Sequence, residues 1–211
     1  MPTDGAARDV DEPILVVRSL GVQAWSDAGE RLVLVDNVSF ELRPGEVVGL
    51  IGESGAGKST IGLAALGYSR PGCQISSGTI LFKGADILRL SPSHREALRG
   101  RHIAYVAQSA GASFNPALKL YDQVCEVPIT TSMSSSEEAR RTADRLFQEL
   151  DLPDPHSFGN RYPHQVSGGQ LQRAMAAMAM SAQPEILVFD EPTTALDVTT
   201  QVEVLAAFIK N

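Results

Sequence analysis

Residues 52–59 read Gly52-Glu53-Ser54-Gly55-Ala56-Gly57-Lys58-Ser59, which fits the pattern G-x-x-x-x-G-K-[ST] at every fixed position. Glycines permit backbone angles that turn successive N–H groups towards one anion. A helix predicted to follow adds its positive N-terminal end. A glycine-rich turn without a ligand would explain the glycines but not Lys58-Ser59 at this spacing. The stretch therefore predicts a loop that binds phosphate groups.

The sequence on either side of this loop predicts an α/β protein. Residues 47–51 form a continuous apolar run, which is typical of a strand covered on both faces. A helix is predicted at 59–66 directly after the loop. Further strands are predicted at 14–17, 31–35, 38–42, 78–82, 103–106 and 186–189, and a last helix at 198–209.

The middle of the chain is predicted to be helical. Residues 137–150 place their apolar side chains on one helix face, behind serines and acids that suit a helix start. Another helix is predicted at 170–181, with methionines that we expect to be buried. We interpret residues from about 110 to 180 as a helical insertion into an α/β core. Residues 1–12, which are polar and acidic with three Asp, are predicted to be a disordered tail.

Two acids follow the apolar run at 186–189. Asp190 and Glu191 stand at the C-terminal end of a predicted strand, where open α/β sheets bind ligands. Asp190 is expected to hold Mg²⁺, directly or through water, and Glu191 to face an attacking water as a general base or orienting group. An ordinary pair of acids that caps the next turn is the alternative.

Composition narrows the class of protein. The 211 residues, 43% hydrophobic and 20% charged, predict a globular chain of one domain. A net charge of −7 argues against a general nucleic-acid binder, so no nucleic-acid partner is expected. The sequence has no apolar run of 18 or more residues that would span a membrane. Cys73 and Cys125 lie far apart and match no metal-binding spacing.

Further motifs make the chain resemble the ATP-binding-cassette (ABC) ATPases. Ser167-Gly168-Gly169-Gln170 resembles the signature motif of that family, Gln108 matches its Q-loop glutamine, and residues 195–197 (Ala-Leu-Asp) match its D-loop. These motifs stand in the family's order together with the phosphate loop and Asp190. The resemblance implies an α/β P-loop NTPase (RecA-like) core with an N-terminal antiparallel β subdomain and an inserted α-helical subdomain.

The resemblance also implies ATP and Mg²⁺ as cofactors and assigns roles to residues. Glu191 and Gln108 would be catalytic, and Ser59, Gln108 and Asp190 would face the metal. The residues expected to contact nucleotide are Trp25, Gly52, Glu53, Ser54, Gly55, Ala56, Gly57, Lys58, Ser59, Thr60, Ser167, Gly168, Gly169 and Gln170. Whether Trp25 or the position of Ala24 faces the adenine, or Trp25 only packs, stays open.

The signature lies on a different face from the phosphate loop, so the resemblance implies a head-to-tail dimer with a second cassette. That cassette would be a copy, a paralogue or a fused half. Residues 113–116 (Ser-Phe-Asn-Pro) and 161–165 (Arg-Tyr-Pro-His-Gln) look like those of importer cassettes for oligopeptides, dipeptides and nickel. Hydrolysis of ATP would then power import of peptides or similar small solutes, through transmembrane permease subunits at the cytoplasmic face of the inner membrane.

Residues 13–211 are expected to form the ABC ATPase domain without the family's C-terminal strand and switch histidine. All four histidines precede Asp190, so none matches that position. On this expectation the chain is weakly active or inactive alone. A soluble ABC ATPase without a transport role, and a cassette that binds ATP with little hydrolysis, are the alternatives.

Overall fold

The computed structural model describes residues 12–26, 28–53 and 55–190. Of the tail predicted at 1–12, only residue 12 is described. Ser54, Glu191, residues 195–197 and the helix predicted at 198–209 also lie outside the described residues. The chain divides into two compact units, one ending at Arg95 and the other beginning at Glu96. Among the described residues, no helix is long and apolar enough to cross a membrane.

An antiparallel sheet dominates the first unit. Its strands are β1 (Leu15–Trp25), β2 (Arg31–Leu42), β3 (Cys73–Phe82) and the short β4 (Ala85–Asp86), in the order β2-β1-β3-β4. The central strand β1 pairs with both β2 and β3. Leu15, Val17, Leu20 and Val22 of β1 are almost fully buried, because apolar residues along this strand share the covered face.

The strands predicted at 31–35 and 38–42 are one strand in the structure. The pairs Leu20↔Val38 and Val22↔Val35 show that β2 carries one residue more than β1 between them. Asn37 has a positive φ of 51° within this irregularity. An extra residue in an antiparallel pair is a β-bulge, which bends a strand without ending it. The polar Asp36-Asn37 therefore marks a bulge rather than a turn.

The segment before the phosphate loop departs from the prediction. Residues 47–51 form no strand, and Val47 and Ile51 are 83% and 100% exposed. Apolar character favours burial, but a strand also needs hydrogen-bonding neighbours. None of the described residues of this unit pairs with 47–51. The predicted buried strand is therefore wrong, whereas α1 (Lys58–Ala65) begins within one residue of its prediction.

The second unit surrounds a two-stranded parallel sheet with helices. β5 (Ile103–Val106) pairs with β6 (Ile186–Phe189), both with the predicted bounds. Helix α2 (Pro92–Leu98) crosses the boundary between the units, and short 3₁₀ turns lie at Ile87–Arg89 and Pro163–Gln165. The other helices are α3 (Ala110–Ser113), α4 (Leu120–Val124), α5 (Glu126–Thr130), α6 (Ser136–Glu149), α7 (Pro155–Phe158) and α8 (Gly168–Met180).

The core of the second unit is built around α8, which packs against α3, α4, α6 and β5. The ring of Phe147 in α6 lies 5.9 Å from that of Tyr121 and 5.1 Å from that of Phe158, measured between centroids. Met175 and Met180 are buried, as expected, whereas Met178 is only partly buried. The packing gives α8, which begins in the signature motif, a fixed position within its unit.

Candidate functional site

Two glycines shape the loop that precedes α1. Gly55 and Gly57 have φ values of +83° and +84°, a region that favours residues without a side chain. Gly57 is also the N-cap of α1, and a Cβ built on it would lie 2.7 Å from the carbonyl oxygen of Leu34 in β2. Glycine at this position therefore lets the start of α1 lie directly against the sheet.

The Lys58 side chain folds back over the loop. Its Nζ donates hydrogen bonds to the carbonyl oxygens of Gly52 and Glu53, over 2.9 and 2.8 Å. Ser59 and Thr60 follow in the first turn of α1, and the capping residue Gly57 has no side chain to close that turn. A helix N-terminus with a cation beside it favours an anion, since the helix dipole and the ammonium group have the same sign.

Trp25 lies at the end of β1, opposite Arg31 of β2. Its side chain is 48% exposed, so one part of the indole ring faces solvent. The neighbouring Ala24 is only partly exposed and offers no ring for stacking. Of the two positions left open by the sequence, Trp25 is the one with the chemistry to stack on a base.

Asp190 follows β6 in the second unit and is held by two groups of β5. Its backbone N–H donates to the carbonyl oxygen of Val106 over 2.9 Å, which extends the parallel ladder by one residue. The hydroxyl of Tyr105 donates to Oδ2 of Asp190 over 2.6 Å. Asp190 is 9% exposed. The carboxylate predicted to face a metal is thus buried and fixed at the end of its strand.

Sequence reasoning did not find Tyr105. The residue pairs with Val188, two positions before Asp190, and side chains two residues apart on a strand share one face of a sheet. Tyr105 therefore faces Asp190 once β5 and β6 are known to be neighbours. The sequence did show that β5 precedes Gln108 and that β6 precedes Asp190. It did not show that these two strands are neighbours.

Gln108 comes two residues after the end of β5 and is exposed. Carboxyl ends of parallel strands meet at one edge of a sheet, so Gln108 and Asp190 both follow the same edge of the β5-β6 pair. The edge combines an amide and a carboxylate. Both are oxygen donors of the kind that Mg²⁺ prefers.

The signature motif forms the start of α8. Ser167 is the N-cap: its Oγ accepts a hydrogen bond from the backbone N–H of Gln170 over 3.2 Å. The Gln170 side-chain oxygen accepts from the backbone N–H of Ser167 over 3.0 Å, which completes a capping box. Ser167 and Gly168 are exposed. A well-formed helix N-terminus therefore faces the surface of the second unit.

Arg173 ties this helix to α6. Its Nη1 donates to the carbonyl oxygens of Leu150 and Asp151, over 3.2 and 2.7 Å, just past the C-terminus of α6. Terminal carbonyls of a helix carry partial negative charge, so a guanidinium group is well placed there. This contact and the packing of α8 hold the signature in one orientation within its unit.

The residues predicted to face a metal carry oxygen donors, the kind that Mg²⁺ prefers. Across the residues that the structure describes, no three His, Cys, Asp or Glu side chains come together as a metal-binding group. Mg²⁺ in nucleotide enzymes is held by one or two protein oxygens together with phosphates and water. Ser59 in the first unit and Asp190 in the second unit each carry an oxygen of this kind.

These features define the class of protein. A glycine-rich loop that leads into a helix, together with an acid at the end of a parallel strand, is the arrangement of P-loop nucleotide-binding proteins. A family model described as "ABC transporter" matches residues 35–194. The chain therefore belongs to the ABC transporter family and binds nucleotide.

Curated relatives agree with this family. The chain is 42% identical over 197 residues to the peptidoglycan transport ATP-binding protein YejF of Agrobacterium fabrum, covering 92% of this chain and 36% of that protein. It is 37% identical to the dipeptide transport ATP-binding protein DppD of Lactococcus lactis, and the match covers 92% of this chain and 56% of that protein. It is 38% identical to the metal-staphylopine import system ATP-binding protein CntD of Staphylococcus aureus, and the match covers 93% of this chain and 71% of that protein.

The chain thus spans between about a third and three-fifths of the length of the first relatives that it matches. Among solved structures, it is similar to the dimeric post-hydrolysis state of the ATP-binding cassette MJ0796 bound to ADP and Pi. The TM-score is 0.80 at 25% identity, with 92% of this chain and 81% of that chain covered. The predicted fold class, an α/β P-loop cassette, is confirmed.

The individual roles of the site residues stay predictions. The structure describes every proposed nucleotide contact except Ser54, and it places Trp25, Gly52, Glu53 and residues 55–60 in the first unit. Gln108, Ser167–Gln170 and Asp190 are in the second unit. Glu191, the predicted general base, lies outside the described residues.

Proposed function

We propose that this chain is the ATP-hydrolysing cassette of an ABC importer for peptides or similar small solutes. The observation that carries the proposal is the loop before α1, in which Lys58 lies over the carbonyl oxygens of Gly52 and Glu53 at the start of a helix. Relatives named as peptide or metal-complex import ATP-binding proteins support the transport role. ATP and Mg²⁺ are the proposed cofactors.

Binding of ATP is expected to centre on the loop. The ammonium group of Lys58 would exchange its carbonyl partners for β- and γ-phosphate oxygens, and the first turn of α1 would add backbone N–H donors. The hydroxyl of Ser59 and the carboxylate of Asp190 would hold Mg²⁺, which when bound neutralises charge that develops on the phosphates. The exposed indole of Trp25 is the proposed stacking surface for adenine.

Hydrolysis is expected to need few groups, because phosphoryl transfer depends mainly on positioning and electrostatic stabilisation. Glu191 would orient the attacking water and accept its proton. Gln108 would align the water or the metal from the same strand edge as Asp190. Lys58 would stabilise the charge that accumulates on the transferred group.

The signature is proposed to serve the ATP of a second cassette. Its helix N-terminus is exposed at Ser167 and Gly168, away from the Lys58 loop in sequence and in a separate compact unit. An ATP gripped by the loop of one cassette and the signature of the other would join the two. Hydrolysis would release them, so the nucleotide state would set the population of the closed dimer.

Transport follows if the closed dimer drives permease subunits. The proposed location is the cytoplasmic face of the membrane, where the helices between residues 110 and 180 would meet those subunits. This helical subdomain, within an ABC ATPase domain from residue 13, is the organisation that we propose.

The experiment is to compare Lys58→Ala with Lys83→Ala, which removes a lysine from the same unit outside the loop. We expect Lys58→Ala to abolish tight MgATP binding in isothermal titration while circular dichroism stays that of the parent protein. Lys83→Ala should bind as the parent does. Unchanged affinity in Lys58→Ala would refute the loop assignment. Tight binding without steady-state ATPase activity in the presence of the permease subunits would favour a cassette with little hydrolysis.

A further inference from the structure

One hydrogen bond at the edge of the parallel strands has no part in the function proposed above. The hydroxyl of Tyr105 donates to Oδ2 of Asp190 over 2.6 Å. That distance falls in the range of about 2.5–2.7 Å found for O–H donors to a carboxylate. Asp190 is 9% exposed, and a bond to a charged group strengthens where water is excluded.

The two strands fix both parts of Asp190. The bond from its backbone N–H to the carbonyl oxygen of Val106 anchors the main chain to β5, and the bond from Tyr105 anchors the side chain to the same strand. A carboxylate with one oxygen held by a phenol has less freedom to rotate. The orientation of its other oxygen is then set by the sheet.

We propose that Tyr105 is a positioning residue for Asp190, and that its phenol sets the direction in which the carboxylate faces a divalent cation bound with the nucleotide. The inference rests on the proposed function, because it requires a metal at Asp190. Tyr105 itself touches neither metal nor nucleotide in this scheme. It acts through the orientation of the carboxylate alone.

The physical consequence is a selective loss of metal affinity when the phenol oxygen is removed. Hydrogen-bond partners of metal ligands contribute to binding, and their removal typically lowers metal affinity by about 10- to 100-fold. Tyr105→Phe keeps the ring and its packing. The nucleotide affinity without metal should not change, since Lys58 and the loop bind the phosphates.

The experiment measures the two affinities separately. Electron paramagnetic resonance follows Mn²⁺ binding to protein saturated with the non-hydrolysable analogue AMP-PNP, and fluorescence titration follows AMP-PNP binding in EDTA. Tyr68→Phe, which removes a phenol oxygen from a tyrosine that is 40% exposed in the other unit, is the matched control. Tyr105→Phe should bind Mn²⁺ about tenfold more weakly than parent and control, with AMP-PNP affinity in EDTA unchanged.

A purely structural role for Tyr105 gives a different result. Equal losses of Mn²⁺ affinity and of metal-free nucleotide affinity in Tyr105→Phe would overturn the inference, as would an unchanged Mn²⁺ affinity.

The proposed function is tested separately by the parent protein. If the parent binds AMP-PNP but no nucleotide-dependent Mn²⁺, the metal site is wrong and the inference falls with it. If the parent binds Mn²⁺ and the Tyr105→Phe protein does so equally well, only the role of Tyr105 is refuted.

Discussion

A Cβ atom at Gly57 would sit 2.7 Å from the carbonyl oxygen of Leu34, at the point where the phosphate loop meets β2. Gly57 also has a φ of +84°, which most residues adopt only at a cost. The steric contact and the backbone angle thus each require glycine at this position. The last glycine of the motif is needed for the packing of the loop as well as for its curvature.

Gly57→Ala should therefore weaken nucleotide binding more than backbone strain alone explains. The new methyl group pushes the loop off β2, and a displacement of about 1 Å at a binding site can cost about 100-fold in function. Gly29→Ala is the matched control, because Gly29 has a φ of +79° but open space around its Cβ position. Isothermal titration with MgATP provides the measurement. Equal affinities for the two variants would contradict the role of the Leu34 contact.

Ser167 and Ser135 form the same capping box at the starts of α8 and α6. Replacing either by alanine removes the hydrogen bond to a first-turn N–H and should lower the free energy of unfolding by about 1 kcal/mol. Only Ser167→Ala should also reduce ATP-dependent dimerisation, measured by light scattering in Glu191→Gln protein.

Ser167→Arg extends this comparison, because a bulky cation would fill the site proposed for the second cassette's ATP. It should leave ATP binding to one cassette intact and block closed dimers. Similar dimerisation in the Ser167 and Ser135 variants would argue that the signature is only a helix cap.

The stability of the second unit should fall at high pH because of Cys125. Burial raises the pKa of its thiol from an ordinary value near 9 to about 11. The unfolded chain then releases a proton between pH 9 and 11 that the folded chain keeps, so the free energy of unfolding is highest below pH 9 and decreases as pH rises. Over the whole pH range, a pKa shift of this size lowers the free energy of unfolding by roughly 3 kcal/mol.

Urea unfolding at pH 8 and pH 10 tests this expectation. Cys125→Ala should flatten the decrease between these pH values, whereas Cys73→Ala, which leaves Cys125 in place, should keep it. Tyr121 is expected to extend the decrease above pH 10, since burial and its hydrogen bond to Asp144 raise the pKa of the phenol. A slope that Cys125→Ala leaves unchanged would show that another group causes it.

Glu191→Gln should slow hydrolysis while ATP stays bound, because the amide keeps the size of the carboxylate but loses its basicity. Removal of a general base typically costs about two to four orders of magnitude in rate. Glu137→Gln, on the exposed face of α6 where Glu137 pairs with Arg141, is the control. Phosphate release and size exclusion with ATP provide the readouts. Hydrolysis near the parental rate would transfer the role to Gln108.

Local sequence signals were sufficient for several of the strands and for the longer helices. β5 and β6 were predicted with their observed bounds because short β-branched and apolar runs flanked by turns are typical of covered strands. α6 was predicted within one residue at each end, since its capping serine and its apolar face are both encoded in consecutive residues. The phosphate loop could be predicted for the same reason.

Features that depend on neighbours could not be predicted. Residues 47–51 look like a buried strand, yet they are exposed because no described strand of their unit lies beside them. Asp36-Asn37 looks like a turn, yet pairing with β1 makes it a bulge. The contact of Tyr105 with Asp190 depends on which strands are adjacent. In each example the deciding partner is far away in sequence.

The bonds from Lys58 to the carbonyl oxygens of Gly52 and Glu53 make phosphate binding at this loop an exchange reaction. An incoming anion competes with two peptide dipoles that already solvate the cation, so the net gain is the difference between a charge–charge and a charge–dipole interaction. Because of this competition, a singly charged anion binds Lys58 only slightly better than the carbonyl oxygens do, whereas a polyphosphate binds it much better. On the proposed function, the loop would thereby discriminate against abundant small anions before any contact with base or sugar is made.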